Sequence, residues 1–293
     1  MSAATGATCA DTVGARGVIA EAITRLTAAG VDTPAVDARL IAAHVLAVSA
    51  PQLVLIDTIS PQEAATISTL VERRVRREPL QWILGTAAFG PLDLAVGPGV
   101  FIPRPETELL AEWAVAHAAP ASPASPLRVL DICTGSGALA AYISHELPHA
   151  HVIGVDVSPT AVEYARKNAP TAHILRADLA QLPCAADTFD CVVCNPPYVP
   201  EIDPATGHPT VVSEEVTCDP HEAVFAGADG MGVMAPLAAS CYRVLRPGAI
   251  VAVEHDDSHQ AQVIEIFQEA GFVDVVGHTD YAGRPRFITA RTQ

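Results

Sequence analysis

From residue 127 onward the chain repeats one pattern: a short apolar run, then a helix-patterned stretch, then another apolar run. Leu127–Ile132, His151–Asp156, His173–Ala177, Phe189–Cys194 and Ala249–Glu254 read as strands, and two more strands close the chain. Ala138–Glu146, Pro159–Asn168, a stretch near Gly232–Leu245 and Ser258–Ala270 read as helices between them. Such alternation predicts a doubly wound parallel sheet with helices on both faces. The first strand runs into Asp131-Ile-Cys-Thr-Gly135-Ser-Gly137-Ala-Leu-Ala140, a glycine-rich turn that opens a helix. Glycines there let the backbone approach a ligand without a Cβ clash. Alone, the turn says only that a nucleotide-like cofactor is bound.

Upstream, the period changes. Val18, Ile19, Ala22, Ile23 and Leu26 recur at helical spacing up to Gly30, and Asp37–Leu46 and Pro61–Arg77 repeat the pattern. Between Leu80 and Ile102, apolar stretches divided by Gly85, Gly90-Pro91 and Gly97-Pro98-Gly99 read as hairpin punctuation. A helix over about Glu106–Ala118 is expected to pack on the region C-terminal to it, and Pro120–Pro126 resembles a linker. The expected division is a helical domain over 1–78, a hairpin linker over 79–103 and a catalytic domain over 104–293. Arg73, Arg74, Arg76 and Arg77 end the last N-terminal helix. They read as a solvated helix terminus whose cations suit the dipole, or as a docking site for an acidic partner.

Charge narrows the function classes. The 293 residues carry 17 basic and 33 acidic side chains, a net charge of −16, of which −14 falls on residues 104–293. Sequence-blind binding to nucleic acid or anionic lipid needs a basic surface, so neither is expected. The first basic residue is Arg16, with Asp11 before it, which does not read as a secretory signal. The longest uncharged apolar stretch, Leu40–Ile56, is broken by His44, Ser49, Pro51 and Gln52. It reads as two buried segments rather than a membrane span. Seven irregularly spaced cysteines suggest reduced thiols in a cytoplasmic protein. Cys191 and Cys194 form a CxxC on a strand, where positions three apart point to opposite faces; they read as buried thiols rather than a metal or redox pair. His255, Asp256, Asp257 and His259 form a polar cluster after the strand ending at Glu254. They read as surface-loop residues, and no metal is expected.

Two residues beyond strand ends carry the chemistry. Asp156 closes the second strand, where a carboxylate can accept from both ribose hydroxyls. Its alternative role, capping the next helix, is already filled by Ser158. Asn195-Pro196-Pro197-Tyr198 follows the Phe189–Cys194 strand. Two prolines fix the backbone, so the Asn195 amide and the Pro196 carbonyl face one point. A planar amide or amine nitrogen is a poor nucleophile because its lone pair is delocalised. Two acceptors holding its two N–H groups favour pyramidalisation and aim the lone pair at an electrophile, here the methyl carbon of a sulfonium cofactor. Tyr198 stacks on the planar group. This is catalysis by position and preorganised electrostatics, without a strong base.

Over most of its length the chain resembles the HemK/PrmC family, methyltransferases of the glutamine in the Gly-Gly-Gln motif of class I peptide release factors. The resemblance is carried by Glu78-Pro79-Leu80-Gln81, Phe101-Ile102-Pro103-Arg104-Pro105-Glu106-Thr107-Glu108, the glycine turn, Asn195–Tyr198 and Asp219-Pro220 followed by Ala226–Gly230. It implies a Rossmann-like class I methyltransferase domain, preceded by a small all-helical domain and a β-hairpin linker. S-adenosylmethionine is the implied methyl donor and S-adenosylhomocysteine the product. Cys133, Thr134, Gly135, Ser136 and Gly137 then line the methionine end of the cofactor, Asp156 the ribose, and Asp178-Leu179 the adenine. Asn195, Pro196, Pro197 and Tyr198 take the glutamine, with Asn195 also near the cofactor, and Arg104 and Glu106 shape the wall. Two positions depart from the family pattern: Cys133 stands where glycine is frequent, and His255-Asp256 where His-Gly is frequent.

Two other readings stay open at this level. Asn-Pro-Pro-Tyr also occurs in adenine-modifying DNA and RNA methyltransferases, although the acidic catalytic half and the lack of an evident target-recognition insert oppose that reading. A non-catalytic cofactor-binding module is the other, and the intact tetrapeptide argues against it.

Overall fold

The computed structural model describes residues 12–122, 125–203 and 206–293. Asp11 and part of the Pro120–Pro126 stretch lie outside them. The chain divides into two compact units that part between Gly85 and Thr86.

The smaller unit is built on helices α1 (Ala15–Ala28), α2 (Pro34–Val45), α3 (Pro61–Val75) and α4 (Leu80–Leu84). A two-residue antiparallel pairing of β1 (Val13–Gly14), just before α1, with β2 (Thr58–Ile59), just before α3, is an element absent from the helical expectation. The core collects Leu26, Ile41, Ile67 and Val71, the helical-period positions of three elements. α3 starts where Pro61 follows Ser60; the Ser60 hydroxyl accepts from the Glu63 N–H at 3.2 Å and the Ser60 N–H donates to the Glu63 carboxylate at 2.7 Å. Leu80–Leu84, expected as part of a hairpin, is instead a helical turn that Gly85 stops at φ 75°.

The arginines at the end of α3 divide between burial and solvent, with Arg74 buried and Arg76 73% exposed. Arg74 is buried, its Nε 2.7 Å from Asp37 Oδ2, and Thr33 donates to the other oxygen at 2.7 Å. Arg73 pairs with Glu78, Arg76 with Glu72, and Arg77 donates to the Gly30 carbonyl. Each guanidinium is used within the unit.

The larger unit begins with the hairpin β3 (Thr86–Phe89) and β4 (Leu92–Ala95) and helix α5 (Glu106–His117). The alternating region comes next: β5 (Arg128–Ile132), α6 (Ala138–Glu146), β6 (His151–Asp156), α7 (Pro159–Asn168), β7 (His173–Arg176) and β8 (Phe189–Cys194). After a short helix α8 (His221–Val224) come α9 (Met234–Val244), β9 (Leu245–Glu254), α10 (Gln260–Glu269), β10 (Val273–Thr279) and β11 (Pro285–Arg291). The seven-stranded sheet has the order β10-β11-β9-β8-β5-β6-β7. It is parallel except at β11, which runs against both neighbours, so the all-parallel expectation fails at one strand. β10 and β11 are joined by a tight turn, which can only reverse the chain, whereas every parallel pair is joined by a crossover.

β8 shows how the sheet is covered. Cys191 and Val193 pack with α5, α6 and α7, whereas Phe189, Val192 and Cys194 pack with α9 and α10. All six residues are buried, which is why the strand reads as a continuous apolar run. The CxxC thiols therefore face opposite sides, and burial pushes Cys191 up to about 12. The hairpin belongs to this unit: Asn168 accepts from the Ala95 N–H at 2.8 Å and donates to its carbonyl at 2.9 Å.

Candidate active site

Because β5, β6 and β8 are adjacent and parallel, their carboxyl ends open on one edge of the sheet. A cavity of about 220 Å³ lies there. Its walls include Cys133, Thr134, Gly135 and Ser136 from the glycine turn, Asp156 after β6, Asp178 and Leu179 after β7, and Asn195 and Pro197 after β8. The structure thus brings these sequence-predicted residues onto one wall, while Gly137, Pro196 and Tyr198 stand off the lining.

Gly137 carries a packing constraint as well. At φ 85°, a Cβ there would stand 2.8 Å from the Ala165 Cα, so its bareness admits α7. Gly135 is needed for its own φ of 55°, and Asn168 pins the turn by donating to the Ser136 carbonyl at 2.8 Å. Cys133 adopts φ 58° without being glycine.

Asp156 accepts from the Gly135 N–H at 2.8 Å and the Ser158 N–H at 2.9 Å. Burial raises its pKa while these amides oppose the rise. Ser158, as expected, caps α7 by accepting from Ala161.

Asn195 anchors a buried polar chain. Its Nδ2 donates to Thr107 Oγ1 at 3.1 Å, Thr107 donates to Glu254 Oε2 at 2.7 Å, and Tyr198 Oη donates to Glu254 Oε1 at 2.8 Å. Burial raises Glu254, and the hydrogen bonds of Thr107 and Tyr198 and the charge of Arg286 pull against it. Tyr198 is held well above its ordinary range by burial and by Glu254, so it keeps its proton. Sequence reasoning does not single out Glu254 or Arg286 as site residues. Glu254 looks like any strand end until β9 pairs with β8, where Val253 stands opposite Cys194.

The remaining family motifs meet around this edge. Asp219 accepts from the Ile102 N–H at 3.2 Å and from Arg104 at 2.5 Å, while Arg104 lies 5.0 Å over the Phe101 ring. Burial pushes Asp219 up to about 6, opposed by Arg104 and the Ile102 amide. Phe101, Pro103 and Pro220 line the cavity. Val199 donates to Val224, and Ala226 donates back to Val199, laying the start of the Ala226–Gly230 segment beside the residues that follow the tetrapeptide. A Cβ on Gly230 would come within 2.4 Å of the Tyr198 carbonyl oxygen. On the far side, His255 is buried with Nδ1 2.8 Å from the Asp256 carbonyl oxygen. Among the described residues no group of three or more His, Cys, Asp or Glu side chains is disposed to hold a metal ion.

Sheet order, the single reversed strand, the glycine turn and the acidic strand end define a Rossmann-like methyltransferase of the class that uses S-adenosylmethionine, and the methyltransferase-domain family model matches residues 129–206. The PrmC N-terminal domain model matches residues 18–85. The release factor glutamine methyltransferase of Mycolicibacterium smegmatis is 47% identical over 284 residues, covering 94% of this chain and 96% of its own length. That of Corynebacterium glutamicum is 46% identical over 279 residues, covering 92% and 96%, and that of Streptomyces coelicolor 40% over 278, covering 93% and 96%. The chain belongs to the release factor glutamine methyltransferase family. No helix among the described residues is long and apolar enough to cross a membrane.

Proposed function

We propose that this protein methylates the side-chain amide nitrogen of the glutamine in the Gly-Gly-Gln motif of class I peptide release factors, in support of translation termination. The observation that carries the reading is the placement of Asn195 on the same cavity wall as Cys133–Ser136 and Asp156. S-adenosylmethionine supplies an electrophilic methyl on a sulfonium. The cavity suits it: a bent glycine turn for the methionine end, Asp156 for ribose hydroxyls, and Asp178 with apolar Leu179, Val157 and Ala177 for a base.

The protein's own part is positioning. Asn195 Oδ1 and the Pro196 carbonyl accept the two N–H groups of the glutamine amide, and Pro197 and Tyr198 hold its plane. As the new N–C bond forms, the methyl–sulfur bond would break to leave the neutral thioether S-adenosylhomocysteine, and the amide nitrogen gives up one proton to water, so no residue need act as a strong base. The helical unit, which lacks a glycine turn and a strand-end carboxylate, serves recognition of the protein substrate. The acidity of residues 104–293 argues against a nucleic-acid substrate and against an anionic membrane surface.

The test supplies methyl-tritiated cofactor with release factor, DNA and ribosomal RNA in parallel. Label on the release-factor glutamine alone is expected. Label on adenine in DNA or RNA would move the protein to the nucleic-acid methyltransferases, and turnover with none of the three would leave a cofactor-binding module.

A further inference from the structure

An asparagine amide has a donor end and an acceptor end of nearly the same shape, so something must decide which end meets a ligand. We propose that Thr107 and Glu254 are positioning residues that turn the acceptor end of Asn195 toward the cavity. The inference rests on the methyl-transfer reading of that site, which needs an acceptor there.

The decision comes from counting protons. Glu254 is buried to 1% exposure, with Arg286 close enough to act on its charge. Its two oxygens each accept a hydroxyl, Tyr198 at 2.8 Å and Thr107 at 2.7 Å. Thr107, itself 3% exposed, has one hydroxyl proton. With that proton committed to Glu254, the Thr107 oxygen has only acceptor capacity left. It therefore takes Asn195 Nδ2, at 3.1 Å, and Oδ1 is left as an acceptor. The direction of the whole chain follows from the two hydroxyls, those of Thr107 and Tyr198, that both donate to the buried Glu254 carboxyl group.

The architecture makes this relay rigid. Asn195 and Glu254 follow or close neighbouring parallel strands, and Thr107 reaches them from the first turn of α5. An amide preset in this way needs no reorganisation when the substrate arrives. The same Glu254 side chain accepts from the Tyr198 hydroxyl, so one buried carboxyl group orients two residues of the tetrapeptide.

The test compares full-length Thr107→Val, which keeps shape but loses the hydroxyl, with Thr107→Ser, which keeps the hydroxyl but loses a methyl. Loss of amide orientation should lower kcat about ten- to a hundredfold in Thr107→Val, the scale of a small misplacement. Cofactor affinity by calorimetry should stay within about twofold in both variants, because the relay acts on the amide that meets the transition state. Thr107→Ser should be the more active of the two. A packing role predicts the opposite ranking, so a Val variant at least as active as Ser overturns the proposal. A second readout needs no substrate: the Asn195 side-chain amide signal in 15N NMR should shift and exchange faster with water in Thr107→Val than in Thr107→Ser. An unchanged signal in the Val variant also overturns it. Absence of release-factor methylation by the wild type would instead sink the functional reading, while the NMR comparison would still decide the relay.

Discussion

The N–H of Gly135 donates to Asp156 Oδ2 at 2.8 Å, fastening the end of β6 to the turn after β5. The carboxylate thus has a scaffold role as well as a place on the cavity wall. Each of its oxygens can still accept a second hydrogen bond. Replacing Asp156 by Asn should weaken S-adenosylmethionine binding about ten- to a hundredfold, the equivalent of roughly 1.5–3 kcal/mol for a charged partner. Asp156→Ala should also lower the melting temperature, because Gly135 and Ser158 lose their acceptor. Isothermal titration with unchanged affinity in both variants would reduce Asp156 to a structural clip.

Asn195→Ala should abolish measurable methyl transfer while leaving cofactor binding weakened but present. One preorganised hydrogen bond of this kind is worth about a hundred- to a thousandfold in rate. Turnover within a few-fold of the wild type would refute the positioning mechanism.

Asp131, at 0% exposure, accepts from Thr134 and from the Ala140 N–H through Oδ2, while Oδ1 has no partner among the described residues. Burial pushes it up to about 7. The folded protein therefore holds a proton that the unfolded chain releases near pH ~4. That contribution to stability is complete below about pH 4 and is lost as pH rises through about 7. Asp131→Asn stays neutral throughout, so its stability relative to wild type should improve between those limits, by on the order of 2–4 kcal/mol. Thermal melts across this range test the slope, and a pH-independent difference would count against it.

Arg74 and Arg76 should respond very differently to removal, although they are close neighbours in the chain. The Arg74–Asp37 pair has side chains 8% and 4% exposed, whereas Arg76 is 73% exposed. Arg74→Ala leaves a buried carboxylate without its partner and should cost about 3–5 kcal/mol. Arg76→Ala should cost less than about 1 kcal/mol. Chemical denaturation of the two variants provides the comparison, and equal effects would mean that the buried pair has no special weight.

A chain beginning at Thr86 retains every strand of the seven-stranded sheet and every residue lining the cavity. It should fold, bind S-adenosylmethionine with near-wild-type affinity and lose most release-factor methylation, because remote contacts convert a weak nucleophile into a positioned one. Circular dichroism establishes folding before turnover is compared. Full release-factor turnover by the shortened chain would remove the recognition role from the helical unit.

Local chemistry makes much of this protein legible. The strand–helix alternation from Leu127, the helical-period run over Pro61–Arg77 and the glycine turn are short-range patterns, and the corresponding elements form close to where their spacing predicts. Leu80–Leu84 defeats such reading because a short, mostly apolar run before a glycine suits a strand or a helical turn equally. The reversal of β11 is equally hidden, because nothing within a strand records the direction of its neighbour.

At the site, the sequence by itself determined which residue types stand at the strand ends: a glycine turn, an acid after β6 and Asn-Pro-Pro-Tyr after β8. Those are set by the chain's own periodicity and by the rule that ligands meet parallel strands at their carboxyl ends. Only the tertiary structure decided that the bare Cα of Gly137 admits α7, that the α3 arginines pair inside their own unit, and that Thr107 and Glu254 meet Asn195. Thr107 and Glu254 are 147 residues apart in the chain. Their meeting depends on β9 lying beside β8 and on α5 packing across both. The direction of the hydrogen bond between them depends on a carboxyl group buried among hydroxyl donors, which no local pattern encodes.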